Sequence, residues 1–172
     1  MNKKLVAIFL GSDSDLNIMS DCTKILEEFN IPFEIIISSA HRSPDFTKSN
    51  IEKFQKQEIK VIIAAAGMSA HLAGVIASHF PLPVIGVPIA SGPLNGIDSL
   101  LSTAQMPPGI PVATVGIDNA KNAGLLAVQI LATSDKKLEK RLVEYKKSLS
   151  DSVKKKAEKM EKIGWKDYLK SK

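Results

Sequence analysis

Three apolar runs, each passing straight into a loop of small and polar residues, limit what this chain can become. Residues 5–10 and 61–66 are short, continuous apolar runs, and the β-branched run Ile35 to Ile37 closes a second strand at about 33–37. Such runs suit strands buried on both faces of a parallel sheet, where helices cover each side. The first opens into Gly11-Ser12-Asp13-Ser14-Asp15, the second into Ser38-Ser39-Ala40-His41-Arg42-Ser43-Pro44 and the third into Gly67-Met68-Ser69-Ala70-His71. Right-handed crossovers make successive strands parallel, so all three loops fall on the C-terminal edge of the sheet, where α/β proteins bind ligands.

The residues between the runs carry helical signals. Leu16, Met19, Ile25, Leu26 and Phe29 have approximate helical spacing behind the Ser/Asp cluster, and Pro44 suits the first turn of a helix over about 44–57. Val84 to Val87 predicts a fourth strand with Pro81 and Pro83 outside it, and residues 112–115 a short fifth. Seven of the nine prolines lie between 81 and 111, a rigid, loop-rich stretch with no linker composition. Asp118 or Asn119 caps an apolar helix to about Thr133. From Asp135, residues Leu138, Leu142, Tyr145, Leu149, Val153 and Met160 form the stripe of a long amphipathic helix.

A length of 172 residues with 44% hydrophobic content fits one domain, 1–172. The net charge of +5 is a property of the tail: residues from 135 onward hold 14 Lys and Arg against 7 Asp and Glu, leaving 9 against 11 before it. One arginine and scattered aromatics among those lysines argue against a nucleic-acid partner. The six-residue apolar run near the start lacks a cleavage signal, and no 18 apolar residues run together, so neither secretion nor a membrane span is expected. Cys22, the single cysteine, reads as a small core residue in a reducing, cytoplasmic compartment.

The loop chemistry is specific in kind. His41 can give and take a proton near neutrality, and Arg42 offers a fork of donors to a phosphate or carboxylate. Gly11, Ser12 and Ser14 make a turn at a helix N-terminus suited to phosphate, where Asp15 would instead accept from ribose hydroxyls. His71 fits a ligand contact and a structural hydrogen bond equally, while His79 sits at a helix end. No second His, Cys or paired carboxylate stands at metal-ligand spacing, so no metal is expected.

Taken together, Gly11-Ser12-x-Ser14-Asp15, Ser39-Ala40-His41-Arg42-x-Pro44, Ala65-Ala66-Gly67-x-x-Ala70-His71-Leu72-x-Gly74, Gly86-Val87-Pro88, Gly96-x-Asp98-Ser99-Leu100-Leu101, Gln105-Met106-Pro107-x-Gly109 and Asn122-Ala123-x-Leu125-Leu126-Ala127 resemble the N5-carboxyaminoimidazole ribonucleotide mutase family of purine biosynthesis. The resemblance implies a three-layer, flavodoxin-like, doubly wound sheet of order 2-1-3-4-5, with the long C-terminal helix added. It implies a homo-octamer with sites between subunits, no cofactor, a small-molecule ribonucleotide substrate and a functional link to the ATP-dependent enzyme that makes the carbamate. By position, His41 would be the acid and then the base. Arg42 and Ser14 would hold the phosphate, with Ser12 and Gly11 beside them and Asp15 on the ribose. Ser39, Ala40, Gly67, Met68, Ser69 and His71 would line the base and carboxyl pocket.

A related branch carboxylates aminoimidazole ribonucleotide directly with CO2 and carries an Arg-Ser-Asn type loop where this chain has Met68-Ser69-Ala70-His71, which favours the mutase. A non-catalytic nucleotide-binding module of the same fold is the other reading. The basic extension after about residue 150 departs from the family pattern, and residues 135–172 are expected to pack on a neighbouring subunit.

Overall fold

The computed structural model describes residues 3–172, so the first two positions of the expected 1–172 domain lie outside it. Five parallel strands, β1 (Val6–Leu10), β2 (Phe33–Ile37), β3 (Val61–Gly67), β4 (Val84–Ile89) and β5 (Ala113–Thr114), lie in the order β2-β1-β3-β4-β5. The connections are α1 (Leu16–Glu28), α2 (Pro44–Lys56), α3 (Leu72–His79) and α4 (Ile97–Ala104), with α5 (Ala120–Ala132) after the last strand. The parallel sheet is the one the apolar runs predicted, and its order is the flavodoxin-like one that the family resemblance implied, with helices on both faces of the sheet.

The strand sequences explain the layers. Along β1 the side chains alternate between faces. Ala7 and Phe9 join Ile51 and Phe54 of α2 and Leu72 and Ile76 of α3 in one buried cluster. Phe9 and Phe54 meet edge to face, with ring centroids 5.5 Å apart. Val6, Ile8 and Leu10 are equally buried on the other face. There α1 and α5 approach closely: a Cβ at Gly124 would lie 3.0 Å from the Cys22 carbonyl oxygen, so only glycine fits without a shift. Cys22 is fully buried, and that burial pushes its thiol up to about 12, leaving it unionised at neutral pH as a core residue should be.

Several elements differ from the sequence expectation. β4 runs on to Ile89 through Pro88, and β5 is two residues long rather than the four of 112–115. The Gly86 and Pro88 carbonyls accept from Val115 and Asp118 N–H at 3.1 and 2.9 Å, so Pro88 turns its missing donor toward β5 and not into the β3 ladder. Asp118 is not the cap of α5. Its backbone is left-handed (φ 55°) and its carboxylate accepts from Ala90 N–H at 2.8 Å, tying down the end of β4, while Asn119 accepts from Asn122 N–H at 3.3 Å. The proline-rich stretch contains the two-turn helix α4.

By compactness the chain divides after Leu131. The second unit, Ala132–Lys172, holds α6 (Lys136–Ile163) and α7 (Trp165–Lys170). Asp135 caps α6 by accepting from Lys137 and Leu138 N–H at 2.9 and 3.1 Å. Gly164, at φ 78°, separates α6 from α7, a last turn of helix absent from the sequence reading. No helix among the described residues is long and apolar enough to cross a membrane.

Candidate active site

The turn after β1 is held by its own side chains. Gly11 N–H donates to the Ala65 carbonyl at 2.9 Å, carrying the β1–β3 ladder one residue past the strand. Ser12 N–H donates to the Asp15 carboxylate at 2.9 Å and Ser14 N–H to the Ser12 hydroxyl at 3.4 Å, a capping box over the 3-10 turn Asp13–Asp15. Asp15 N–H donates to the Ser12 carbonyl at 3.2 Å. Three backbone donors that the sequence reading left open to a phosphate are therefore used within the turn. What the turn offers a ligand is the Ser12 and Ser14 hydroxyls, themselves 3.0 Å apart. Asp15 is buried, and the loss of water raises its carboxyl above the ordinary value of 3.8 despite the Ser12 N–H that favours its charge.

The β2 loop is equally knit. Ser38 N–H continues the β1–β2 ladder to the Leu10 carbonyl at 2.8 Å, and its hydroxyl pairs with Thr47 at 2.7 Å beneath α2. Ser43 N–H reaches the Ser39 carbonyl at 2.9 Å and Arg42 N–H the Ser39 hydroxyl at 3.2 Å, closing residues 39–43 into one turn. That turn throws Arg42 across β1, where its guanidinium donates to the Gly11 carbonyl at 3.3 Å. Arg42 and the two serine hydroxyls thus face the same place.

His41 goes further across. Its Nε2 lies 2.9 Å from Nδ1 of His71, the residue before α3, with the rings nearly perpendicular at 83°. One of these two nitrogens carries the shared hydrogen and the other accepts it. The bond forms in either tautomer, and an imidazolium N–H on one ring can still donate to the free nitrogen of the other. A proton can enter or leave His41 without breaking this arrangement, which general acid/base chemistry requires.

The third loop brings the backbone close. Met68 adopts a left-handed conformation (φ 53°), and His71 N–H donates to the Ser69 carbonyl at 2.8 Å, which turns the imidazole back toward His41. At Gly67 an added Cβ would stand 1.9 Å from the Ser91 hydroxyl oxygen and 3.3 Å from the Ile89 carbonyl oxygen, so any larger residue would force the Ser91 side chain to turn away.

All twelve residues singled out from the sequence line one cavity of about 490 Å³: Gly11, Ser12, Ser14 and Asp15 from the first loop, Ser39, Ala40, His41 and Arg42 from the second, and Gly67, Met68, Ser69 and His71 from the third. Ala66, Leu72 and Ser91 line it too and were missed. The signal for Ser91 was its place just past the fourth strand, whose end adjoins the third. A larger cavity of about 740 Å³ lies at the opposite end of β4, between the end of α3 and Gly109–Pro111. It is lined mainly by proline and aliphatic side chains, with His79 as its single titratable group, and lacks the paired groups that chemistry needs. Among the described residues no cluster of three or more His, Cys, Asp or Glu is placed to hold a metal ion.

The cavity sits at the junction of β1 and β3, the point where the strand order reverses and flavodoxin-like sheets take their ligands. The fold and its loops thus define an α/β protein with a small-molecule site furnished for an anionic ligand and for proton transfer. The AIR carboxylase family model matches residues 5–152, and the chain belongs to that family. The N5-carboxyaminoimidazole ribonucleotide mutase of Pyrococcus horikoshii is 54% identical, over 97% of this chain and 94% of its own. The phosphoribosylaminoimidazole carboxylase of Schizosaccharomyces pombe is 48% identical over 95% of this chain, which spans only 30% of that longer protein. In three dimensions Treponema denticola PurE superposes with a TM-score of 0.83 at 30% identity, over 94% of this chain and 99% of that one.

Proposed function

We infer that this chain acts as an N5-carboxyaminoimidazole ribonucleotide mutase in de novo purine biosynthesis, moving a carboxyl group from the exocyclic nitrogen to C4 of the imidazole. Family membership and relatives of that name over nearly the whole chain support the activity. The observation that carries the mechanism is the meeting of His41 with His71 in the same cavity as Arg42 and the Ser12–Ser14 hydroxyls.

Arg42 and Ser14 hold the phosphate, Ser12 lies beside them and Asp15 takes a ribose hydroxyl. His41 donates its proton to the carbamate nitrogen, the C–N bond breaks and CO2 is released within the cleft. The electron-rich C4 then bonds to the CO2 carbon. The C4 proton passes to His41, restoring its starting state, so the acid and the base are one group and no net proton or electron is exchanged. Confinement of CO2 between the loops raises its effective concentration, and the step needs neither ATP nor a cofactor.

The protein works as a homo-oligomer, an octamer with sites between subunits, in the cytoplasm. Apolar side chains left in water support assembly: Ile37 of the edge strand β2 is 53% exposed, Phe46 of α2 50% and Leu101 of α4 53%. The residue 135–172 extension packs on a neighbouring subunit through the exposed apolar side chains of α6, Leu149, Val153 and Met160. A functional link to the ATP-dependent enzyme that makes the carbamate is consistent with the longer Schizosaccharomyces pombe relative, in which this fold is joined to further sequence.

The name of that relative favours a second reading, direct carboxylation of aminoimidazole ribonucleotide by CO2. The two separate in paired assays without ATP. One cell receives freshly made N5-carboxyaminoimidazole ribonucleotide, the other aminoimidazole ribonucleotide with bicarbonate at physiological level. Fast product in the first cell alone is expected. Fast product in the second would make the protein a direct carboxylase, and none in either would leave a binding module.

A further inference from the structure

Among the described residues, the Ser91 hydroxyl is the one buried side-chain polar atom without a hydrogen-bond partner. A hydroxyl has one hydrogen to give and two lone pairs to fill, and shutting it away from water unpaired is unfavourable. Native proteins keep such groups mainly where a ligand or water completes them. Ser91 lines the cavity, two residues past the end of β4, and no sequence motif assigned it a role.

Its place in the sheet says which part of a ligand it meets. The phosphate-binding groups stand over β1. The strand order sets β4 beyond β3, two strands from β1 and so about 10 Å away. His41, from the loop after β2, meets His71, from the loop after β3. A nucleotide with its phosphate over the β1 turn therefore extends its base, and the carboxyl group on it, toward Gly67 and Ser91. Gly67 lets the hydroxyl come up against the β3 backbone, since a Cβ there would overlap the oxygen. The side chain of Met68 lies beside the residue that follows Ser91: a Cβ at Gly92 would touch its Cγ at 3.6 Å and its Sδ at 3.8 Å. Met68 is 59% exposed, so its unbranched thioether is free to adjust to a ligand at this end of the cleft.

We propose that the Ser91 hydroxyl donates a hydrogen bond to the carboxyl group of the bound carboxylated nucleotide, and so determines specificity for the carboxylated over the bare base. The proposal rests on the mutase reading of the site. It gives the carboxyl end of the cleft a fixed donor, matching the one that Arg42 gives the phosphate end.

The test is Ser91→Ala, which keeps Cβ and removes only the oxygen. Dissociation constants are measured by calorimetry for 4-carboxy-5-aminoimidazole ribonucleotide and for aminoimidazole ribonucleotide, on wild type and variant, with melting curves of both proteins. Loss of a hydrogen bond to a charged group is expected to weaken the carboxylated nucleotide by about tenfold to a hundredfold, with the bare nucleotide within about twofold of wild type. The melting temperature is expected to hold or rise, because an unpaired buried hydroxyl is removed. Equal losses for both nucleotides, no loss for either, or equal losses with a lowered melting temperature would each overturn the proposal. Failure of wild type to bind either nucleotide would instead overturn the mutase reading beneath it.

Discussion

At the β1 end of the cleft Ser12, Ser14, Asp15 and the Arg42 turn are bonded to one another before any ligand arrives. At the β3 end His41 meets His71 alone and Ser91 meets nothing. The first end is fixed by capping and turn chemistry that the fold needs anyway. The second is held by groups whose hydrogen bonds can be exchanged. A site that grips a phosphate and moves a proton needs both, since orientation demands rigidity while an acid that becomes a base must change its state.

The largest expected effect lies at the exchangeable end. His41→Asn should reduce turnover at least ~10²-fold, the lower range for general acid/base catalysis, while ribonucleotide affinity stays close to wild type. Steady-state rates and a binding isotherm check this, and near-normal turnover would remove His41 from its assigned role. The fixed end should respond in the opposite sense. Arg42→Lys keeps the charge but loses the planar fork and its reach to the Gly11 carbonyl, so KM should rise roughly tenfold to a hundredfold with kcat largely kept. A fall in kcat at unchanged KM would erase the distinction between the two ends.

The smallest effect concerns stability. The Asp15 carboxyl is raised in the folded chain, so folding holds its proton more tightly than the unfolded chain does. Its favourable contribution is complete below the ordinary value of 3.8 and is lost as pH rises through the higher folded value. Asparagine retains an oxygen for the Ser12 N–H and carries no charge to desolvate. Asp15→Asn should therefore melt no lower than wild type at pH 7, with its advantage shrinking in acid, while binding the ribonucleotide more weakly. Melting curves across pH 3 to 7 give the comparison. A variant less stable at pH 7 would mean that the charge itself holds the turn.

Much of this could be read from residue order. Apolar runs ending in Gly, Ser and His required a parallel sheet with a site on one edge, and the three loops do line one cavity. What could not be read depended on distance across the sheet. His41 and His71 are 30 positions apart, and their contact requires the second loop to lean over β1 toward the third. Ser91 enters the site only because β4 lies beside β3. Asp118 looked like a cap because it precedes a helix, but its left-handed backbone turns the carboxylate back to Ala90, a choice made by the way β4 ends rather than by the helix.

In the mutase reading one carboxyl group leaves nitrogen and returns to carbon within the cleft. That transfer is tested most directly by giving the enzyme N5-carboxyaminoimidazole ribonucleotide labelled with ¹³C in the carboxyl group, in unlabelled bicarbonate, and measuring by mass spectrometry the label kept in early product. Nearly all of it should be kept. Product carrying the isotope ratio of the bicarbonate pool would contradict that reading.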